Sequence, residues 1–215
     1  MGETREVCIP LTVSRRMKVK RLKLGVLASG GGTNLQSIID RCLDGSISAE
    51  VVVVISNNSG AGALERARKH GIDALHVSAV TEGNDAAADR RITDEMVSHG
   101  VDLVALAGYM KKVGQMLLTT YEGRLLNIHP ALLPKFGGKG MYGMRVHEAV
   151  IAEGEKESGP TVHIVDDKYD HGPILAQIKV PVLPDDTPET LQKRVLEKEH
   201  EIYPMTIQRI AEERL

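Results

Sequence analysis

The chain has 215 residues, with 27 Lys and Arg against 29 Asp and Glu, a formal net charge of −2. That length suits one ordinary α/β domain with a sizeable core, and the near-balance of charge gives no overall pull towards nucleic acid or membrane. Trp is absent and Phe136 is the only Phe, which argues against an aromatic platform for single-stranded nucleic acid, and no apolar run reaches the roughly 18–20 residues of a membrane helix.

The segment from Met1 to Arg21 stands apart. It carries Arg15, Arg16, Lys18, Lys20 and Arg21, and Pro10 interrupts its short apolar stretch. Without a sustained apolar core it does not read as a secretory signal, and Glu3 and Glu6 argue against an organellar one. It reads as a disordered extension or an upstream start codon, with Met17 as the alternative start. Residues 22–215 form the one expected domain. Cys8 and Cys42 make no CxxC pair and no metal-ligand cluster, so a reduced, cytoplasmic setting and no metal are the expectation.

Leu22 to Ala28 reads as a buried strand and runs into Ser29-Gly30-Gly31-Gly32-Thr33-Asn34, after which Leu35, Ile38, Ile39 and Cys42 recur at helical spacing. Glu50 to Ser56 is an unbroken β-branched run, as in a parallel sheet covered on both faces. A helix from Ala61 to His70, closed by Gly71, leads to a weak third strand at Ala74 to Val77. Ala86 to His99 is a helix closed by Gly100, Asp102 to Ala107 a buried strand, and Gly114 to Tyr121 a short helix before the strand Leu125 to Ile128. This alternation predicts a doubly wound, mostly parallel α/β sheet, Rossmann-like.

The remainder changes character. His129 to Met144 is rich in Pro, Gly and Lys and reads as loop. Val146 to Ala152 looks helical, and Thr161 to Val165 and Ile174 to Val180 look like a hairpin that adds antiparallel strands. Thr187 is a candidate N-cap, with Thr190 in place of the usual Glu or Gln of a capping box, so the box is expected to be incomplete. Pro204 is expected to break the helix that follows.

Three places carry chemistry. Gly30 and Gly32 fit the start of a GxGxxG fingerprint, but Leu35 occupies the third glycine position; a strand–glycine–helix turn that offers backbone amides to a phosphate monoester is the better reading. Asn127 and His129, two apart at the end of a strand, share one face, and ligands in such sheets bind beyond the carboxyl ends of the strands. An amide, an imidazole and a carboxylate can together stabilise an oxyanion and move a proton. Asp170, in the acidic turn with Asp166 and Asp167, is the candidate carboxylate, though spacing alone does not bring it to His129. His163, mid-strand, and His171, in the turn, are nearby alternatives. Lys135 and Lys139 lie in a loop able to close over an anion.

Taken together, the stretches Ala28 to Leu35, Gly123 to Lys135, Tyr169 to Pro173 and Glu199 to Pro204 occur in the order found in the formyltransferases that use 10-formyltetrahydrofolate, and the chain from Leu22 to Leu215 resembles that family. The resemblance implies a formyl-folate co-substrate and transfer to the amine of 5′-phosphoribosylglycinamide, a step of purine (IMP) synthesis, with small-molecule substrates, no nucleic acid and a monomer or homodimer. It implies that Asn127, His129 and Asp170 are catalytic and that Gly32, Thr33 and Asn34 hold the ribonucleotide phosphate. Leu196, Glu197, Lys198 and Glu199 would meet the rest of that substrate, and Met110, Lys111, Lys112, Val113, Asn127, Asp166, Asp167, Lys168, Tyr169 and Asp170 the folate. It also implies that Asp170 raises the pKa of His129. The loop Phe136 to Val146 is longer than in familiar members, Lys111 stands where an arginine is frequent, and Asp85 lies near the place of an arginine that contacts folate. The alternatives are a formyltetrahydrofolate hydrolase, a formyltransferase for another amine and, in a different class, a nucleotide-binding module without catalysis.

Overall fold

The computed structural model describes residues 21–214, so the expected N-terminal extension lies outside the described residues apart from Arg21. The elements are β1 (Leu22–Ala28), α1 (Thr33–Leu43), β2 (Ala49–Ser56), α2 (Gly62–Lys69), β3 (Asp73–His76), α3 (Ala79–Glu82), α4 (Asp85–Ser98), β4 (Leu103–Leu106), α5 (Gln115–Thr120), β5 (Leu125–His129), α6 (Met144–Ala152), β6 (Glu157–Ser158), β7 (Thr161–Ile164), β8 (Ile174–Gln177), β9 (Val180–Pro181) and α7 (Pro188–Arg214). The main sheet has seven strands in the order β3-β2-β1-β4-β5-β7-β8, parallel from β3 to β5 and antiparallel beyond it. The doubly wound sheet with antiparallel additions is therefore observed.

Alternation along β1 builds the two layers. Leu22, Leu24, Val26 and Ala28 enter one apolar core with Leu35, Ile38 and Ile39 of α1 and Ile202, Tyr203 and Ile207 of α7. Leu27 faces the other core, with Ile92 and Met96 of α4 and Leu117 of α5. Gly25 lies on that second face, where any Cβ would collide with the Met96 sulfur, so the Met96 side chain of α4 rests directly on the strand backbone. β4 and β5 are covered on both faces, which fixes their carboxyl ends rigidly beneath the loops that follow.

Three expectations need correction. The run Ile174 to Val180 is not one strand: β8 pairs with β7, whereas β9 pairs with β6 in a separate two-stranded ribbon. The break falls where the Ile178 carbonyl approaches Gly159 (φ 141°) so closely that a side chain there would collide with it. The Thr187 box is complete, because Thr190 Oγ1 accepts from Thr187 N at 2.9 Å and Thr187 Oγ1 accepts from Thr190 N at 3.3 Å; a threonine hydroxyl fills the place of the usual carboxylate or carboxamide. Pro204 does not end the helix, and α7 runs 27 residues through it. Ile202 and Tyr203 before the proline and Ile207 and Ala211 after it are all buried in the same core, and that shared burial offsets the lost backbone hydrogen bond.

Candidate active site

The carboxyl ends of β4 and β5 open into a cavity of about 510 Å³. Asn127 and His129 project into it from β5. In the antiparallel register Asn127 stands opposite His163 of β7, and cross-strand partners share a face. His163 Nδ1 donates to the Ile164 carbonyl at 2.9 Å, which leaves Nε2 as the acceptor for Asn127 Nδ2 at 3.1 Å. Asp170 arrives from the turn after β7 with φ 54°, a left-handed conformation that Asp tolerates better than most residues. One carboxylate oxygen lies 3.4 Å from Asn127 Nδ2 and 3.5 Å from His163 Nε2. The other accepts from Gly138 N at 2.9 Å and lies 3.6 Å from His129 Nδ1. The four side chains thus form one cluster.

His129 is 3 % exposed. Its Nε2 lies 2.7 Å from the Phe136 carbonyl. A carbonyl only accepts, so Nε2 carries a hydrogen, and Nδ1, facing Asp170, is the nitrogen that takes up or releases a proton. Phe136 (φ 55°) turns its carbonyl inward at the start of the glycine loop. Gly137 follows, where a Cβ would stand 2.6 Å from Leu133 Cδ2 and 3.1 Å from Asp170 Cβ. One short backbone segment therefore holds the acceptor for His129 and the donor for Asp170.

Asp170 raises the His129 pKa as expected, but burial, which the sequence does not show, outweighs it. Burial lowers that pKa below the ordinary imidazole value, and the opposing effects of the Asp170 carboxylate and the Phe136 carbonyl do not make up the difference. Asp170 is held below the ordinary carboxylate range: burial works against this, but the neighbouring His163 and His129 rings and the Gly138 amide outweigh it. Asp170 is thus an ionised group beside an imidazole whose positive form needs further negative charge in the cavity.

A second acidic group closes the cavity's other side. Glu199 on α7 is 8 % exposed and accepts from Asn34 Nδ2 at 2.6 Å; burial pushes its carboxyl up to about 7. Asn34 sits in the first turn of α1, whose N-cap is Gly32 (φ 74°) with no side-chain cap among the described residues. A Cβ on Gly32 would lie 2.7 Å from Ala63 Cα, so close packing of α2 requires glycine there. At Gly30 and Gly31 a Cβ would meet no described atom within 4 Å. Those two exposed glycines are demanded by neither packing nor a positive φ.

The sequence pattern of one family, described as formyl transferase, matches residues 22–207. The chain belongs to the formyl transferase family. This formyl transferase is 46 % identical over 197 residues to a chloroplastic phosphoribosylglycinamide formyltransferase of Arabidopsis thaliana, covering 91 % of this chain and 68 % of that protein. It is 40 % identical over 194 residues to the phosphoribosylglycinamide formyltransferase of Escherichia coli strain K12, covering 90 % and 89 %. Its fold superposes on the crystal structure of glycinamide ribonucleotide transformylase 1 from Symbiobacterium toebii with a TM-score of 0.85 at 45 % identity, covering 91 % of this chain and 90 % of that one.

Of the site residues named from the sequence of this formyl transferase, Asn34, Met110, Lys111, Lys112, Val113, Asn127, His129, Asp166 to Asp170, Leu196 and Glu199 line the cavity. Glu197 and Lys198 do not. A helix turns about 100° per residue, so Leu196 and Glu199 share the cavity face, whereas Glu197 is exposed and Lys198 pairs with Glu201 at 2.7 Å. Gly32 and Thr33 sit at the end of α1 next to Asn34, outside the lining. Asp85 begins α4 and borders a second hollow shared with Tyr109, Lys111, Lys112 and Val113. His171 stays out at the surface, 3.4 Å from Asp166. Two cavity residues were given no leading role in the sequence. His163, weighed there as a mid-strand alternative, lies against both Asn127 and Asp170, and the strand pairing that puts it opposite Asn127 is the signal that reveals it. His147 of α6, which also lines the cavity, gives no sequence signal beyond its helical surroundings.

Proposed function

We propose that the protein transfers the formyl group of 10-formyltetrahydrofolate to the amine of 5′-phosphoribosylglycinamide, a step of purine synthesis. The observation that carries this reading is the convergence of Asn127, His129 and Asp170 in one cavity lined at one side by Asn34 and Glu199 and at the other by residues 110–113 and 165–170. The names of the relatives point to the same acceptor.

Two substrates fit the two sides. Leu106, Val113 and Val165 offer an apolar slot, edged by the backbone of Met110 to Lys112 and of Asp166 to Lys168, suited to a flat heterocycle with polar edges. Gly30, Gly31 and the uncapped first turn of α1 suit a phosphate monoester, because backbone amides and the helix dipole favour an anion there. The Asn34 side chain is turned to Glu199 instead, so its contribution to a phosphate would be its backbone amide.

10-Formyltetrahydrofolate supplies the formyl group when bound. The acceptor's nitrogen forms the new bond to the formyl carbon, and the bond from that carbon to the folate nitrogen breaks. Asn127 donates an N–H to the oxygen that gains charge, exchanging its long contact to Asp170 for a shorter one. His129 donates from Nδ1 and carries the positive charge that the developing oxyanion and Asp170 jointly favour. The proton lost by the amine ends on the folate nitrogen, so no protein nucleophile is used.

The test is the absorbance change on loss of the formyl group from 10-formyl-5,8-dideazafolate, with and without 5′-phosphoribosylglycinamide. Turnover that requires the ribonucleotide supports the reading. Formyl release without it would make the protein a hydrolase, and inactivity under both conditions would refute the assignment.

A further inference from the structure

β1 and β4 run side by side, and their ladder carries past the strand ends: Ala107 N donates to the Leu27 carbonyl at 2.8 Å and Ser29 N to the Gly108 carbonyl at 3.0 Å. There the backbone ladder stops, because Gly108 (φ 74°) turns the chain away in a left-handed conformation. A side chain makes the next contact. Met110 N donates to Ser29 Oγ at 2.8 Å. The Ser29 hydroxyl in turn donates to Asn57 Oδ1, just beyond the end of β2. A hydroxyl has one hydrogen and two lone pairs, so giving the hydrogen to Asn57 leaves a lone pair for the Met110 amide. One side chain therefore joins the loops that follow β1, β2 and β4.

Ser29 does not line the main cavity, but its partner does. Met110 begins the segment Met110 to Lys112, whose backbone edges the apolar slot. The far end of that segment is held from α4: Asp89 accepts from Met116 N at 2.8 Å and from Leu117 N at 3.2 Å, and a Cβ on Gly114 would collide with its carboxylate. Backbone amides and carbonyls that meet the polar edge of a heterocycle have no rotamers of their own, so their aim is set by where the segment is pinned. Asp89 pins one end and Ser29 the other. We propose that Ser29 is a positioning residue for the formyl donor: by holding Met110 N it aims the backbone of Met110 to Lys112 at the donor's heterocycle. The inference rests on the reading of the slot given above.

The test measures binding of 10-formyl-5,8-dideazafolate by calorimetry, alongside both KM values and a thermal melt. Ser29→Ala removes the acceptor of the Met110 amide. Its Kd and KM for the formyl donor should rise about threefold to tenfold, the usual effect of losing one neutral hydrogen bond, with the KM for 5′-phosphoribosylglycinamide unchanged. Ser29→Thr keeps the hydroxyl, and the second hollow that Ser29 borders leaves space for the added methyl, so donor binding should return to near the wild-type value. A serine kept only for folding would lower the melting temperature in Ser29→Ala and leave the donor Kd where it was; that result overturns the proposal. Equal rises in both KM values would overturn it too, as would a Ser29→Thr variant that melts like the wild type yet binds the donor as weakly as Ser29→Ala. The calorimetric Kd needs no turnover. Wild-type protein that binds the donor but does not use the ribonucleotide would overturn the acceptor reading, and the comparison of Kd values would still decide the role of Ser29. Wild-type protein that does not bind the donor overturns both.

Discussion

Asp170→Asn isolates what the carboxylate charge does, because the new amide keeps an oxygen for the Gly138 N–H and changes little in volume. In the native cluster the carboxylate lies 3.6 Å from His129 Nδ1. Two unit charges at that distance interact by about 1 kcal/mol in bulk water and about 5 kcal/mol at an effective dielectric of 20. His129 is almost fully buried, which places it towards the stronger end. Since about 1.4 kcal/mol corresponds to a tenfold change in protonation equilibrium, the imidazole of the variant is expected to lose its proton at a lower pH than in the wild type. Burial already depresses that pKa, and Asp170 is the first of the groups that oppose it. Turnover that depends on protonated His129 should therefore fall about tenfold to a thousandfold at neutral pH, with the alkaline limb of the kcat profile displaced to lower pH. The assay is formyl transfer from 10-formyl-5,8-dideazafolate between pH 5 and 9, with a thermal melt to confirm that the variant is folded. An alkaline limb that stays in place, whatever the size of the rate loss, would refute the claim that Asp170 acts through the charge on His129.

Three further outcomes are expected. Gly32→Ala should lower stability by about 1–3 kcal/mol in a denaturant melt, because φ is 74° and the new Cβ would meet the Ala63 backbone, whereas Gly31→Ala should melt like the wild type yet raise the ribonucleotide KM; equal melts for both would show that the turn is not braced by α2. Glu199→Gln should stabilise the unliganded protein at pH 8 while weakening acceptor binding. The native carboxyl, raised to about 7 from an ordinary value of 4.5, holds its proton where the unfolded chain has lost it, so stability falls as pH rises between those values, by roughly 3 kcal/mol in all; a variant whose melting temperature shows the wild-type pH dependence would contradict this. Tyr203→Phe should cost about 1 kcal/mol in thermal stability with kcat nearly unchanged, since the buried hydroxyl lies 3.1 Å from the carbonyl oxygens of Leu106 and Leu126 and ties α7 to β4 and β5; a large kcat loss at full stability would instead give that tie a part in placing Asn127.

Glu199, His147 and His129 share a physical pattern. Each is buried, and burial moves its pKa away from the charged form. Glu199 and His129 are each held on one side by the fold, through Asn34 and the Phe136 carbonyl, while lining the cavity. The cavity therefore concentrates groups that cost stability when it is empty, as expected of a site organised around a bound substrate.

The sheet and its covering were legible along the chain. The apolar run of β1, the β-branched run of β2 and the glycines closing α2 and α4 are local signals, and local backbone preference and one-dimensional patterning were enough to read them. The sequence also determined that Asn127 and His129 share a face, since that follows from strand geometry alone, and the order of its motifs carried the family resemblance. Tertiary structure alone decided the rest. Asp170 reaches His129 because β7 pairs antiparallel with β5 and the turn after it doubles back, a contact between residues 41 apart in the chain that no spacing rule supplies. The same pairing put His163 against Asn127. The net fall in the His129 pKa, against the upward pull of Asp170, depends on how much protein surrounds the ring, and Pro204 is tolerated because the flanking turns of α7 are buried against the sheet. Long-range pairing and desolvation are properties of the packed molecule, and a linear pattern contains neither.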